Sequence, residues 1–212
     1  MKCYMCDSES TTGEHVPPDC FFPSGHKLNL ITVPSCSEHN LNKSKEDEYI
    51  RSIIAPSIGN NSFGLQMAST KVNRAFRRST GLVSAVFKNV QLVRLKNGAE
   101  TGAVQVNLAR WDKFFEQLSN AIYFRDFRKS HPYRWEIFTP NFKFVGPVSK
   151  ELSDNFEEAK EKFLSLQFIE QQTSNPEIFR YFLFKDDLGR HVYKFLFYEN
   201  FIVCAISSIS KN

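Results

Sequence analysis

The chain has 212 residues, enough for one large domain or two small ones. Hydrophobic residues make up 42% of it and 21 residues are phenylalanine, so a packed core is expected. The net charge of +4 is too small to indicate a partner by itself, and no window has the roughly 18 apolar residues of a membrane span. The polar, cysteine-containing N-terminus does not resemble a signal peptide, so we expect a cytoplasmic protein without membrane association.

Two pairs of metal-binding residue types with the same short spacing lie near the N-terminus. Cys3 and Cys6 form a C-x2-C pair, and Cys36 and His39 form a C-x2-H pair. A structural zinc ion takes four sulfur or nitrogen ligands in a tetrahedron, and each such pair supplies two of them. The sequence therefore predicts a structural Zn²⁺ site that closes the long loop between the pairs.

Two cysteines lie outside this pattern. Spaced cysteines in a cytosolic chain are typical of metal binding rather than of disulfide formation. Cys20 and Cys204 lack such spacing, and we interpret them as small buried thiols. An alternative ligand set, in which Cys20 or His26 replaces His39, stays open.

The predicted loop carries an acidic residue followed by a histidine, Glu14 and His15, and Asn40 follows the last predicted zinc ligand. Phosphodiester hydrolysis requires an activated water and a metal ion that neutralises charge on the phosphate. Mg²⁺ prefers oxygen ligands, which a carboxylate and an amide provide. Glu14 and Asn40 are therefore candidate ligands of a catalytic Mg²⁺ or Mn²⁺, and His15 is the candidate general base. Glu38 is a nearby acid that could substitute for Glu14.

The elements around these residues are short. Residues 30–33 form a β-branched run that predicts a strand, and a helix is predicted from about His39 to Ile53. Pro56 to Gly64 has the composition of a loop.

Taken together, residues 3–51 resemble the HNH endonuclease family, whose core is a ββα-metal fold often stiffened by a zinc site. The acid–histidine element of the family matches Glu14 and His15. Its central Asn, followed by a short strand, matches Asn29, and its final element matches Asn40. Two departures are Glu where Asp is commoner, and a C-x2-H pair where the family has C-x2-C.

The resemblance implies a role for each matching residue. His15 would be the general base, Glu14 and Asn40 would bind the catalytic ion, and Asn29 would orient the imidazole or its loop. Relatives of this family often act in defence against phages, in restriction or in mobile elements. The resemblance covers about a quarter of the chain.

Basic residues follow the predicted metal site, and no acidic residue occurs between Glu48 and Glu100. The basic residues of that interval are Arg51, Lys71, Arg74, Arg77, Arg78, Lys88, Arg94 and Lys96. A surplus of positive charge after a nuclease-like motif favours a surface that faces a polyanion, although a solvated helix face has the same composition. The candidate nucleic-acid-binding residues are Lys43, Lys45, Arg51, Arg74, Arg77 and Arg78.

In the remaining chain, helices are predicted at 65–79 and 107–129, and a strand at 90–95. Residues 135–144 are expected to be extended, and Ser153 is the predicted N-cap of a further helix. Strands are predicted at 179–185 and 191–207 around a turn at 186–189. The stripe of Trp111, Phe114, Phe115 and Leu118 is interpreted as helical core, and the isolated His131 and His191 as surface or hydrogen-bonded histidines.

The predicted fold class is α+β, with an N-terminal zinc-stabilised ββα-metal (HNH) module at 1–51. A basic helical connector at 52–100 and a Phe-rich α+β domain at 101–212 follow it. The predicted function is a metal-dependent endonuclease that hydrolyses phosphodiester bonds in DNA, with RNA not excluded. The alternative is a non-catalytic zinc-containing module that binds nucleic acid. A homodimer or a regulatory protein partner is compatible with either function.

Overall fold

The computed structural model describes residues 1–95, 97–132 and 134–208, with only the backbone described for Asn42. Lys96 and residues 209–212, which belong to the predicted connector and C-terminal domain, lie outside the described residues. The strands are β1 (Thr12–His15), β2 (Thr32–Ser35), β3 (Gln91–Arg94), β4 (Glu100–Ala103), β5 (Trp135–Phe138), β6 (Ile169–Gln171), β7 (Phe179–Lys185), β8 (His191–Phe197) and β9 (Phe201–Ser207). The α-helices are α1 (Ser37–Asn40), α2 (Ser44–Ile54), α3 (Ser62–Met67), α4 (Asn73–Arg78), α5 (Thr80–Val86), α6 (Leu108–Phe127) and α7 (Lys150–Ser165).

The N-terminal segment has the element order strand, strand, helix. Strands β1 and β2 pair antiparallel, with Glu14 opposite Val33. Helix α1 begins two residues before the predicted start, and a 3-10 turn at Leu41–Lys43 joins it to α2. Helix α2 forms because Tyr49, Ile50, Ile53 and Ile54 bury one face of it, as helical spacing requires.

The connector is mostly helical, as predicted. Asn61 caps α3, since its side-chain oxygen accepts hydrogen bonds from the backbone N–H groups of Phe63 and Gly64. A π-helical turn at Ala68–Val72 joins α3 to α4. The predicted strand at 90–95 is observed as β3, which pairs with β4 in a separate two-stranded sheet. Helix α5 and strand β4 were not predicted.

The C-terminal segment packs α6 against a five-stranded antiparallel sheet with the order β5-β9-β8-β7-β6. Trp111, Phe114, Phe115 and Leu118 are buried in α6, so their interpretation as core is confirmed. Asp126 fixes this helix to the sheet, because its carboxylate accepts hydrogen bonds from Tyr181 Oη at 2.7 Å and Tyr193 Oη at 3.2 Å.

Three predictions in this segment need correction. The N-cap of α7 is Ser149, whose hydroxyl accepts from the N–H of Leu152, so the Ser153 prediction is wrong by one helical turn. The predicted strand at 191–207 is two strands, because Tyr198 and Glu199 adopt left-handed backbone conformations with φ of 50° and 59° between them. The extended run from 135 ends as a strand at Phe138, and β6 was not predicted.

One large hydrophobic cluster contains buried residues from all three predicted segments, including Tyr4, Ile50, Phe115 and Phe197. Polar contacts join the same segments: Tyr49 Oη accepts from the N–H of Asn107 at 3.0 Å. Cys204 is buried in a smaller cluster with Phe163 and Val192. The N-terminal module therefore shares its core with the rest of the chain. Within the described ranges, the helices lack the combination of length and apolarity that crossing a bilayer requires.

Candidate metal centre and neighbouring polar cluster

Four metal-binding side chains converge at one end of the β1–β2 pair. Cys3 and Cys6 lie in the turn before β1, while Cys36 precedes α1 and His39 lies within it. Their ligand atoms all lie within 4.8 Å of one another. The Nδ1 atom of His39 lies 3.6 Å from the sulfur atoms of both Cys3 and Cys6, and 3.2 Å from that of Cys36.

These separations match the edges of a metal tetrahedron. Zn–S bonds of about 2.3 Å in tetrahedral geometry separate two sulfur atoms by about 3.8 Å. The Cys6 and Cys36 sulfur atoms are 3.9 Å apart. The backbone N–H of Met5 donates to the Cys3 sulfur at 3.5 Å, and a hydrogen bond from Ser8 lowers the pKa of the Cys6 thiol. The cluster can therefore hold a metal ion such as zinc.

The alternative ligands lie elsewhere. Burial raises the pKa of Cys20 to about 12, and its charged neighbours are Arg51 and Asp47. The ring of His26 packs edge-on against Phe63, with centroids 4.9 Å apart. Of the ligand sets left open by the sequence, the structure favours the one with His39.

Glu14 and His15 lie on opposite faces of β1, because neighbouring side chains of a strand alternate. His15 is exposed, and its Nδ1 lies 3.1 Å from Thr32 Oγ1 on the paired strand. Glu14 is buried and its Oε1 accepts a hydrogen bond from the Lys43 ammonium. The structure therefore separates the predicted base from the predicted carboxylate ligand.

Asn40 lies on the Glu14 face of β1. Its amide nitrogen donates to Thr12 Oγ1 at 3.0 Å and to the Gly13 carbonyl at 3.2 Å. The nitrogen is thus committed to β1, which leaves the amide oxygen as the atom able to bind an ion. Asn29 is exposed and has a left-handed backbone with φ of 56°, and its carbonyl accepts from Ser174 Oγ at 2.6 Å.

A buried polar cluster surrounds Glu14, which we call the carboxylate cluster: Tyr4, Glu14, Lys43 and Asp47. Lys43 Nζ lies 3.8 Å from Asp47 Oδ1 in addition to its contact with Glu14. Burial raises the pKa of Asp47 to about 7, against the opposing effect of the Lys43 charge. Burial and the nearby Glu14 raise the pKa of the Tyr4 hydroxyl far above its ordinary value.

Sequence reasoning did not identify Tyr4 or Asp47. The spacing of Lys43 and Asp47 on a predicted helix is the one signal for an ion pair between them. No sequence pattern of comparable strength predicts the contact between Tyr4 and Glu14, because that contact depends on how the N-terminal turn packs on β1.

The candidate nucleic-acid-binding residues differ in exposure. Lys45, Arg74 and Arg77 are exposed, and Arg78 is exposed with one guanidinium nitrogen 3.5 Å from Glu48 Oε1. Arg51 is only 5% exposed and its guanidinium lies 3.4 Å from Glu48. Arg51 is therefore removed from the predicted surface, because other elements pack over it and place its charge near Cys20 and Tyr198. Lys43 is engaged by the carboxylate cluster.

The sequence matches no protein-family model, no curated protein and no solved structure. The resemblance to HNH endonucleases therefore has no support beyond the residues of the N-terminal segment that carry it. What the structure contributes is the Cys/His cluster and its geometry relative to β1 and α1.

Proposed function

We propose that the chain is a zinc-stabilised, divalent-metal-dependent endonuclease of the HNH type that hydrolyses DNA. One observation carries the proposal. Asn40, the residue after the cluster ligand His39, is hydrogen-bonded to β1 directly before Glu14 and His15. A metal held by the Cys/His cluster would fix the start of α1, and with it the position of Asn40 on the strand.

In this proposal the oxygen ligands of the catalytic ion are Glu14 and Asn40. The carboxylate oxygen Glu14 Oε2 is buried and, within the described part of the chain, has no hydrogen-bond partner. An unpaired buried carboxylate oxygen is costly, so a cation beside it would be stabilising. A bound Mg²⁺ or Mn²⁺ would neutralise charge that develops on the scissile phosphate.

His15 would act as the general base. Its imidazole is exposed, and the contact between Nδ1 and Thr32 Oγ1 orients the ring and leaves Nε2 for a water molecule. For His15 to reach a water on the ion, the end of β1 must rotate the ring toward the Glu14 face, because the two side chains lie on opposite faces of the strand. We expect substrate and metal binding to produce that change.

In this proposal, exposed cationic side chains form the surface that binds DNA. Lys45, Arg74 and Arg77 are all exposed and follow the metal centre along the chain. Cations of this kind attract the phosphate backbone without reading its sequence.

The test is cleavage of supercoiled plasmid by the zinc-loaded protein with Mg²⁺ or Mn²⁺, and by the His15→Ala variant. We expect metal-dependent nicking that falls by at least about 100-fold in His15→Ala, with unchanged zinc content, because a general base contributes about that much. His26→Ala is the matched control, since it removes a histidine outside the site. Undiminished cutting by purified His15→Ala would contradict the proposal.

A second candidate function is a zinc-containing module that binds nucleic acid without cutting it. The observation that favours it is the Lys43–Glu14 ion pair, which occupies one oxygen of the proposed ligand carboxylate. This function predicts salt-sensitive binding of DNA, and no cleavage with any divalent ion by protein whose zinc content is complete.

A further inference from the structure

We infer that Glu14 and Asp47 together form a two-carboxylate site for one divalent cation, and that the Lys43 ammonium is a built-in competitor for that site. This inference deepens the proposed function, on which it rests through Glu14. It adds Asp47 as a ligand and gives Lys43 a role that the sequence resemblance does not contain.

The geometry of the three side chains is that of an enclosed cation site. Lys43 Nζ contacts Glu14 Oε1 and lies 3.8 Å from Asp47 Oδ1. The side chains of Glu14 and Asp47 are only 4% and 13% exposed, and that of Lys43 is 12% exposed. A single positive charge thus lies between two carboxyl groups that water barely reaches.

The ammonium leaves part of the site unsatisfied. Among the described residues, Glu14 Oε2, Asp47 Oδ1 and the Tyr4 hydroxyl are buried without a hydrogen bond of good geometry, although Tyr4 lies close enough to Glu14 for the carboxylate to raise the pKa of its hydroxyl. All three atoms belong to the carboxylate cluster, and an orphaned buried oxygen costs about 1–3 kcal/mol in proteins. The cluster therefore contains more oxygen ligands than a lysine satisfies.

A divalent ion suits this ligand set better than an ammonium. When both are ionised the two carboxylates carry a charge of −2 against the +1 of Lys43, and because burial raises the pKa of Asp47 to about 7, full ionisation of the pair requires a stronger cation than the lysine. Mg²⁺ and Mn²⁺ are bound by one or two carboxylates and retain several waters, which can bond to the remaining oxygens. With the ion bound, both carboxylates are neutralised and the ammonium is no longer needed between them.

A surface cleft beside Lys43 can accommodate its displaced side chain. Lys43 ends the 3-10 turn between α1 and α2, and it also lines a surface cleft with Glu38, His39 and Glu46. The cleft also contains Lys113 and Arg110, and Arg110 is paired with Glu46 at 2.6 Å, so Glu38 is the acid that can receive the ammonium. In this position Lys43 lies at the surface, where a phosphate can compete with Glu38 for the ammonium, so metal binding and phosphate contact are coupled through one side chain.

The experiment measures Mn²⁺ binding by zinc-loaded protein, using the electron paramagnetic resonance signal of free Mn²⁺ and no nucleic acid. We expect Lys43→Met to bind Mn²⁺ at least about tenfold more tightly than the unaltered chain, because the competing charge is removed while the side-chain length is kept. Asp47→Asn should bind at least about tenfold more weakly, because it loses a ligand charge. Lys45→Met is the matched control on α2, with an affinity for Mn²⁺ that should not change.

Three results would overturn the inference: no Mn²⁺ binding by the unaltered chain at millimolar concentration, unchanged affinity in Asp47→Asn, or unchanged affinity in Lys43→Met. Asp47→Asn is nearly isosteric and retains the Lys43–Glu14 pair, so it carries the test if Lys43→Met does not fold. Mn²⁺ binding with the expected variant pattern but no DNA cleavage would refute the proposed nuclease and leave the cation site intact. Cleavage by the unaltered chain with normal Mn²⁺ binding in Asp47→Asn would refute this site alone.

Discussion

The Cys/His cluster and the carboxylate cluster lie at opposite ends of the same short connection, α1 and the turn that follows it, yet they are built in different ways. The four ligand atoms of the first lie within 4.8 Å of one another and contain no internal cation. The second is closed by Lys43, an internal cation from the same chain. A sulfur-rich cluster depends on a bound metal for its stability, whereas the oxygen-rich cluster is already stabilised in part by its own lysine.

The comparison shows how the two ions that we propose for this segment would differ in the strength of their binding. Thiolates hold zinc so tightly that the ion is part of the folded structure. Carboxylates bind Mg²⁺ or Mn²⁺ weakly enough that a lysine can compete with the ion. The following substitutions break or sharpen that contrast, beginning with the largest expected effect.

Removal of a thiol should have the largest consequence. We expect Cys36→Ala to lose its bound zinc and to lower the free energy of unfolding by about 5 kcal/mol or more, because zinc binding contributes directly to folding. Zinc content by mass spectrometry and thermal unfolding by circular dichroism measure this. Cys20→Ala removes a thiol outside the cluster and should retain full zinc content. If Cys36→Ala were as stable as the unaltered protein, the cluster would not contribute to the stability of the fold.

Breaking the ion pair should have the next largest effect. Lys43→Met leaves Glu14 buried without its counter-charge, which costs about 3–5 kcal/mol for a pair as buried as this one. The double variant Lys43→Met, Glu14→Gln should recover most of that loss, because no uncompensated charge remains. Chemical denaturation of both variants measures the effect, with exposed Lys45→Met as the control. Failure of Glu14→Gln to restore stability would mean that Lys43 stabilises the fold through contacts other than Glu14.

A smaller effect is expected at the junction of the two clusters. Asn40→Ala removes the hydrogen bonds to Thr12 Oγ1 and the Gly13 carbonyl and should lower stability by about 1–2 kcal/mol. A double-mutant cycle with Thr12→Val separates the side-chain contact from the backbone contact. Zinc content should stay complete, since His39 is unchanged. Loss of zinc in Asn40→Ala would show that the junction, and not the ligand set alone, maintains the cluster.

The smallest effect on stability is expected on the basic surface. Arg74→Gln combined with Arg77→Gln should change the free energy of unfolding by less than about 0.5 kcal/mol, because both side chains are exposed. DNA affinity should fall, and the slope of log affinity against log salt should decrease by up to about 2, since two phosphate contacts are lost. Fluorescence anisotropy over a range of salt concentrations measures both. Arg94→Gln is the control, because Arg94 is paired with Glu100 at 3.1 Å. If the slope of log affinity against log salt did not change, α4 would not be part of the proposed DNA interface.

Local features of the fold were predictable where short-range spacing controls them. The helical stripe from Trp111 to Leu118 predicted α6, and the turn at 186–189 predicted the β7–β8 hairpin, because periodicity and turn chemistry act over a few residues. The cap at Ser149 and the break at Tyr198 were missed. Ser149 and Ser153 are chemically equivalent as caps, and a left-handed residue other than glycine carries little sequence signal.

What the sequence determined by itself is the Cys/His cluster: two x2-spaced pairs fix the ligand positions within one turn each, so only the meeting of the two pairs was left to folding. The tertiary structure alone decided which side of β1 faces the core, and so buried Glu14 and exposed His15. It also buried Arg51 and brought Lys43 to Glu14 across the fold. Those outcomes depend on how α1 packs against β1 and how α2 packs into the shared core, and packing between distant segments leaves no spacing pattern in the chain.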